Sequence, residues 1–149
     1  MNTHDNKHND SHCKTTDKKT LVVIGGGFAG LNLVKRLNKR QWDVVVIDRF
    51  NFHSFPPLFY QVASAGLDPG SISFPLRREM RQRRLRGCTF HLGEVSEIDT
   101  TTKTLSTQYE TLHYDTLVIA AGTTNNFFGN DSLQQSVYTL KSVPEAIRC

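Results

Sequence analysis

Residues Thr20–Asp48 read TLVVIGGGFAGLNLVKRLNKRQWDVVVID: a strand, a glycine turn, a helix and a second strand in succession. Thr20–Ile24 forms an apolar run of the kind a parallel strand shows when both of its faces are covered. Gly25, Gly26, Gly27, Phe28, Ala29 and Gly30 then supply the G-x-G-x-x-G spacing. Gly25 permits the tight turn, Gly27 lets a pyrophosphate approach the backbone, and Gly30 lets the helix pack closely on the strand. The helix that follows aims free N–H groups and the positive end of its dipole at the phosphates. Ala29, Leu33 and Leu37 recur at four-residue spacing and are expected to form its buried face, with Lys39 and Arg40 at its negative end. Asp43–Ile47 returns as a second apolar strand. Asp48 stands at its end, about twenty residues after the turn, where a carboxylate can accept hydrogen bonds from a ribose.

Glycines alone are compatible with a structural βαβ unit in which they only tighten a turn. The helix, the second strand and the acid in register favour dinucleotide binding instead. An acid at position 48 also opposes a 2′-phosphate, and so opposes NADP, although Arg49 beside it weakens that exclusion.

A length of 149 residues suits one domain and is short for two. The net charge of +4 is modest, and six arginines between Arg77 and Arg86 carry much of the excess, which argues against nucleic acid as a partner. No apolar run approaches a membrane span and the N-terminus lacks a signal peptide's apolar segment, so the chain reads as cytoplasmic. Cys13, Cys88 and Cys149 are widely spaced, leaving neither a metal knuckle nor a redox disulfide. Residues 1–19 read as a disordered polar tail and 20–149 as the folded domain. His4, His8 and His12 would align on a helix, but the tail offers nothing to support a metal site, and no metal is expected.

Phe50–Gly66, FNFHSFPPLFYQVASAG, is an aromatic connection in which Pro56 and Pro57 forbid regular helix and Leu58–Ala65 has room to start one. It either caps the core or covers a large apolar ligand, since ligands bind at the carboxyl ends of parallel strands. His53 within it is a proton donor or a packing histidine. Ser71 reads as an N-cap, and Ile72–Leu85 as a helix with Arg77, Arg81 and Arg84 on one face, either solvated or facing anionic headgroups or a partner. Residues 88–99, 101–108 and 111–122 then read as a third parallel strand, an antiparallel excursion turning at Thr100–Lys103, and a final strand. Leu117–Ala121 is again apolar throughout and is assigned to the buried parallel sheet, and Ser142–Arg148 starts a helix.

These residues resemble the FAD-binding half of the two-dinucleotide-binding flavoproteins of the pyridine nucleotide-disulfide oxidoreductase type, and most closely the type II NADH:quinone oxidoreductases. The resemblance is carried by VVIGGGFAGLNLVKRL (22–37), VVVIDRFNFHSFPPLFYQVASAG (44–66), the arginine-rich segment, Gly93-Glu94-Val95 and YDTLVIAAGTTNNFFG (114–129). The fold it implies is α/β and Rossmann-like: a central parallel sheet with a small antiparallel excursion, forming one part of a two-dinucleotide-binding architecture.

The resemblance implies FAD with its pyrophosphate on Gly25–Gly30 and its adenosine ribose on Asp48. The adenine would lie near Val95, and the flavin near Ala121, Gly122 and His53. It implies NADH as electron donor and a membrane quinone as acceptor, with a place on the inner face of the cytoplasmic membrane for a complete enzyme. No residue is then required as nucleophile or metal ligand. Two features depart from the family. Pro56-Pro57 replaces its glutamine-proline pair, and the cysteine pair of the glutathione-reductase branch is missing after the second strand, which disfavours disulfide reduction. A second fingerprint domain and amphipathic C-terminal helices are also expected of the family and do not occur in these residues. Two readings follow: part of a flavin-dependent NADH:quinone oxidoreductase, with sulfide:quinone reductases close behind, or a non-catalytic dinucleotide-binding module.

Overall fold

The computed structural model describes residues 18–149. The polar tail and its histidines therefore lie outside the described residues, apart from Lys18 and Lys19. Lys19–Ile24 (β1), Phe28–Arg36 (α1) and Trp42–Asp48 (β2) form the opening unit, as expected to within a residue or two. Phe52–Ser54 (β3), Phe59–Ala63 (α2), Ser73–Pro75 (β4) and Leu76–Glu79 (α3) follow. Then come Cys88–Leu92 (β5), Val95–Asp99 (β6), Thr104–Thr107 (β7), Thr111–His113 (β8) and Thr116–Ile119 (β9). Asp131–Ser136 (α4) and Val143–Arg148 (α5) close the chain.

Four strands make a parallel sheet in the order β5-β2-β1-β9. The apolar runs of β1 and β2 follow from what covers each face. Leu21, Val23, Val44 and Val46 meet Leu31 and Val34 of α1 together with Leu76, Met80, Leu85 and Phe90. Val22 and Ile47 point the other way, onto Leu105 of the antiparallel sheet β6-β7-β8 and Tyr114, which follows β8. Each fully buried valine or leucine in these layers contributes about 1.5–3 kcal/mol. A third cluster joins α2 to α5 through Phe59, Val62, Ile72, Val143 and Ala146.

Several expectations are corrected. Ile72–Leu85 is not one helix. Pro75 cannot continue one, and Ser73–Pro75 instead pairs antiparallel with Phe52–Ser54, leaving one helical turn at Leu76–Glu79 and a 3₁₀ turn at Arg83–Leu85. Arg77, Arg81 and Arg84 therefore share no helix face. The turn before this segment is capped by Asp68, whose side chain accepts from the Gly70 N–H at 2.8 Å, and not by Ser71. The buried face of α1 is Gly30, Leu31 and Val34; Leu33 and Leu37 are half-buried and Ala29 is exposed. Residues 88–99 break at Gly93-Glu94 into β5 and β6, and 111–122 break at Tyr114-Asp115 into β8 and β9, because the first run leaves the parallel sheet for the antiparallel one and the second returns from the antiparallel sheet to the parallel one. Finally, β9 is an edge strand: Leu117 packs on one face and Val118 and Ala120 on the other, but Ile119 is 68% exposed, so its apolar run is only partly buried.

Candidate functional site

The site lies at the carboxyl ends of the central strands. Since β2 flanks β1 on one side and β9 on the other, chain connections diverge from β1, and a crevice opens where they part. The glycines of the turn there have different tasks. Gly25 has φ +106°, and a Cβ on it would stand 2.2 Å from the Ala120 carbonyl oxygen. A Cβ on Gly30 would stand 2.0 Å from the Gly25 carbonyl oxygen, which is how closely α1 rides on the turn. At Gly27 a Cβ would meet nothing within 4 Å. Gly27 is thus not required by the packing of the fold; its missing side chain leaves open space in front of the backbone. The first helical hydrogen bond of α1 runs from the Leu31 N–H to the Gly27 carbonyl at 3.0 Å, so the amides of Phe28, Ala29 and Gly30 precede the ladder and have no partner within it.

Asp48 is held at this turn. Its Oδ2 accepts from the Gly26 N–H at 2.7 Å and its Oδ1 from the Phe50 N–H at 2.9 Å. Each carboxylate oxygen keeps a further lone pair for a ribose hydroxyl. The Asp48 carbonyl accepts from the Gly93 N–H at 3.0 Å, which ties the end of β2 to the end of β5.

A cleft of about 220 Å³ is lined by Gly26, Gly27, Phe28, Asp48, His53 and Lys141, among others. It joins a larger hollow of about 700 Å³ that runs from Arg49 and Phe50 to Thr123 and Thr124, with Lys141 on both. The cleft thereby crosses the end of β1 from the β2 side to the β9 side. Gly26, Gly27, Phe28, Asp48, Arg49 and His53 are brought together on its walls. Gly25 and Gly30 shape the turn from behind, and Ala29 sits in the exposed first turn of α1. Ala121 reaches the turn from the β9 side, its amide nitrogen 3.1 Å from where a Gly25 Cβ would be, and Gly122 follows at φ +76°. Val95 opens β6 and lines neither hollow; it packs against the cluster around Leu105 instead.

Of the aromatic connection, only Phe59 is fully buried, with Phe50 and Tyr60 largely exposed. Phe28, His53 and Phe55 form a cluster beside the cleft: the His53 ring meets Phe28 edge-on at 5.1 Å, and Phe28 meets Phe55 at 5.4 Å. Burial, with Lys35 nearby, pushes the His53 pKa below its ordinary value of 6.5. A histidine lowered in this way favours the neutral ring, so its contribution to stability is present above pH 6.5 and is lost as pH falls through the lowered value. The His53 ring proton, followed by NMR titration, is expected to shift with a midpoint below 6.5; a midpoint at or above 6.5 contradicts its burial against Phe28.

Sequence reasoning missed Lys141. It is carried by the entrance to α5, where the Ser142 Oγ accepts from the Glu145 N–H and Glu145 reaches back to accept from the Lys141 N–H at 2.7 Å. The signal was present as Ser142-Val143-Pro144-Glu145, a capping-box spacing with proline in the first turn of the helix, but it marks a helix start and not a site. That Lys141 amide, first among its donors, holds the Glu145 carboxyl below the usual range.

The architecture and turn agree with what comparison finds. Residues 19–148 match the pyridine nucleotide-disulphide oxidoreductase family. The type II NADH:quinone oxidoreductase Ndh of Mycobacterium tuberculosis is 36% identical over 132 residues, which are 85% of this chain and 28% of that protein. An external alternative NAD(P)H-ubiquinone oxidoreductase of Arabidopsis thaliana mitochondria, B4, is 29% identical, over 93% of this chain and 25% of the relative. Among solved structures, NDH2 of Plasmodium falciparum superposes with a TM-score of 0.80 at 22% identity, over 88% of this chain and 28% of the other. The sulfide:quinone oxidoreductase of Aquifex aeolicus gives 0.77 at 25% identity, over 87% of this chain and 30% of the other. The chain spans about a quarter to a third of these relatives' length. With the family matched over nearly all of the described residues, in a strand order that places the glycine turn at the divergence of β1, the chain belongs to the pyridine nucleotide-disulphide oxidoreductase family.

Proposed function

We propose that this chain binds FAD across the carboxyl end of β1 and forms the FAD-binding part of a flavin-dependent NADH:quinone oxidoreductase. The open space in front of Gly27, in the cleft that Asp48 also lines, carries this reading: a Cβ there would occupy room that packing does not use and that a diphosphate would. When bound, FAD supplies the capacity to take up an electron pair from NADH and release it to a quinone. The residues of this chain bind and orient. The turn amides and the first turn of α1 face the phosphates, Asp48 accepts from the ribose, and Arg49 flanks it. Ala121 and Gly122 stand behind the turn on the β9 side without lining either hollow, and Val95 lies away from both, in the cluster around Leu105. Phe28, His53 and Phe55 form an aromatic cluster along one flank of the cleft. No cysteine lines either hollow among the described residues, so the reading does not extend to disulfide reduction. No helix among the described residues is long and apolar enough to cross a membrane, and contact with the inner face of the cytoplasmic membrane is proposed only for a protein of the relatives' length.

Asp48→Ala is expected to weaken FAD about ten- to hundredfold, since a buried charge-assisted hydrogen bond contributes about 1.5–3 kcal/mol. Titration of the apoprotein with FAD measures this, alongside the unfolding midpoint, because Asp48 also holds the Gly26 and Phe50 amides. Unchanged affinity would remove Asp48 from the site. The competing reading, a dinucleotide-binding module without turnover, is favoured by the single glycine fingerprint in these residues.

A further inference from the structure

The end of the parallel sheet remote from the cleft gathers a different set of residues. Because the four strands run parallel, Lys19, Trp42, Cys88 and Thr116 open them at one end, and the cleft lies at the other. Helix α1 starts at the glycine turn and runs back to Arg36, and Arg40 stands just before β2. Arg83, Arg84 and Arg86 lead into β5. The two stretches meet there: Leu85 is buried with Leu31 and Val34 of α1, and Leu33 and Leu37 pack on the same cluster. Arg36, Arg40, Arg81, Arg83, Arg84 and Arg86 are all exposed around this contact.

Residues 77–86 hold six arginines and one acid, Glu79, a net charge of +5 against +4 for the whole chain. Buried Leu76, Met80 and Leu85 fix this segment to the core, so its cations stand on a firm base. None of the exposed arginines of this face pairs with a carboxylate among the described residues. Glu79 accepts instead from the Gln82 amide at 2.7 Å and Asp115 from the Thr20 N–H at 2.7 Å, while Asp43 is exposed near the start of β2. A face that serves solubility mixes both signs, whereas one crowded with a single sign repels itself until a polyanion meets it.

The kind of polyanion follows from what the face lacks. No aromatic residue occurs in 36–41 or 81–87, so nucleic-acid bases have nothing to stack on. The helical pieces here are single turns, and neither can fill a major groove. A fluid lipid surface needs neither feature, since its headgroups move to wherever the cations stand. We propose that this basic face, at the strand ends opposite the nucleotide cleft, docks the protein on a lipid surface rich in anionic phosphate headgroups. The contact is electrostatic and leaves the cleft free. It uses no part of the dinucleotide reading, and it concerns lipid charge and not which membrane face a longer protein occupies.

Co-sedimentation of the chain with vesicles tests this, using phosphatidylcholine alone and phosphatidylcholine mixed with phosphatidylglycerol, at low salt and with a vesicle-free blank for self-association. The chain is expected to bind the anionic vesicles and not the neutral ones, and to let go as salt rises. Arg83→Gln with Arg84→Gln is expected to weaken binding about ten- to thirtyfold, at roughly fivefold per cation. Arg36→Gln with Arg40→Gln is expected to do the same from a separate stretch of chain. Arg83→Lys with Arg84→Lys keeps the charge and is expected to bind as wild type, because mobile headgroups read charge and not guanidinium geometry. Lys103→Gln, in the turn between β6 and β7, is expected to change nothing. The proposal is overturned if the chain ignores anionic vesicles or binds neutral ones equally, if either glutamine pair binds undiminished, or if Lys103→Gln loses as much as they do. Tighter binding of a nucleic-acid duplex than of vesicles at the same salt, lost in the same variants, would give the face to another polyanion and overturn it as well.

Discussion

Gly27→Val is expected to fold and to lose FAD. A valine there meets no protein atom within 4 Å of its Cβ, so the native packing tolerates it. Its cost to the fold is that of replacing glycine at the N-cap of α1, about 1 kcal/mol. The same side chain fills the space through which a diphosphate reaches the turn amides, and affinity should fall by about a hundredfold or more, roughly 2.7 kcal/mol. Gly30→Val is expected to fail differently. Its Cβ would lie 2.0 Å from a backbone carbonyl that cannot rotate away, so the helix must lift from the strand at roughly 3 kcal/mol or more. Thermal unfolding beside FAD titration separates the two. A Gly27→Val protein that copurifies with normal yellow flavin contradicts the placement of the phosphates, and a Gly30→Val protein of normal stability contradicts the close ride of α1 on the turn.

The 149-residue chain supplied with FAD is expected to oxidise NADH with a soluble quinone no faster than free FAD does. Hydride transfer requires donor and acceptor held at about 3–3.5 Å, which needs a site for nicotinamide as well as one for flavin. The chain carries one G-x-G-x-x-G, and the cleft built on it crosses the end of β1 as a single path from Arg49 to Thr123. One fingerprint serves one dinucleotide. The exposed edge at β9, with Ile119 largely in solvent, also leaves apolar surface that favours self-association over firm flavin retention. Oxidation well above the free-flavin rate would overturn the single-site argument and direct the search for nicotinamide to the wall formed by Phe28, His53 and Phe55.

The opening βαβ unit was legible because its signals are local. An apolar run, a glycine turn and an acid in register leave few alternatives for Thr20–Asp48, and the strands fall within two residues of expectation. The start of α5 was legible too: Ser142–Arg148 is expected to begin a helix, and Val143–Arg148 forms one. What failed was decided at long range. Leu76–Leu85 has good helix formers, yet Phe74 pairs with His53, and that partner is invisible to a window around Pro75. The face of α1 was mistaken because four-residue spacing fits both Ala29-Leu33-Leu37 and Gly30-Val34. The contact of Gly30 with the Gly25 carbonyl chooses between them, and it exists only once the helix lies on the sheet. At the site, the turn and Asp48 came from the fingerprint, whereas Lys141 reaches the cleft through the packing of α5 on α2, for which no motif encodes the destination.

The central claim is that FAD lies across the end of β1 on the glycine turn. Amide ¹H–¹⁵N spectra of the chain, recorded during titration with FAD, test it most directly. The account predicts saturable shifts centred on Gly26, Gly27, Phe28 and Asp48, extending to Ala121, Gly122 and Lys141, with the arginine-rich segment Arg77–Arg86 unmoved. No saturable shifts at the turn, or shifts confined to the Arg77–Arg86 segment, would contradict it.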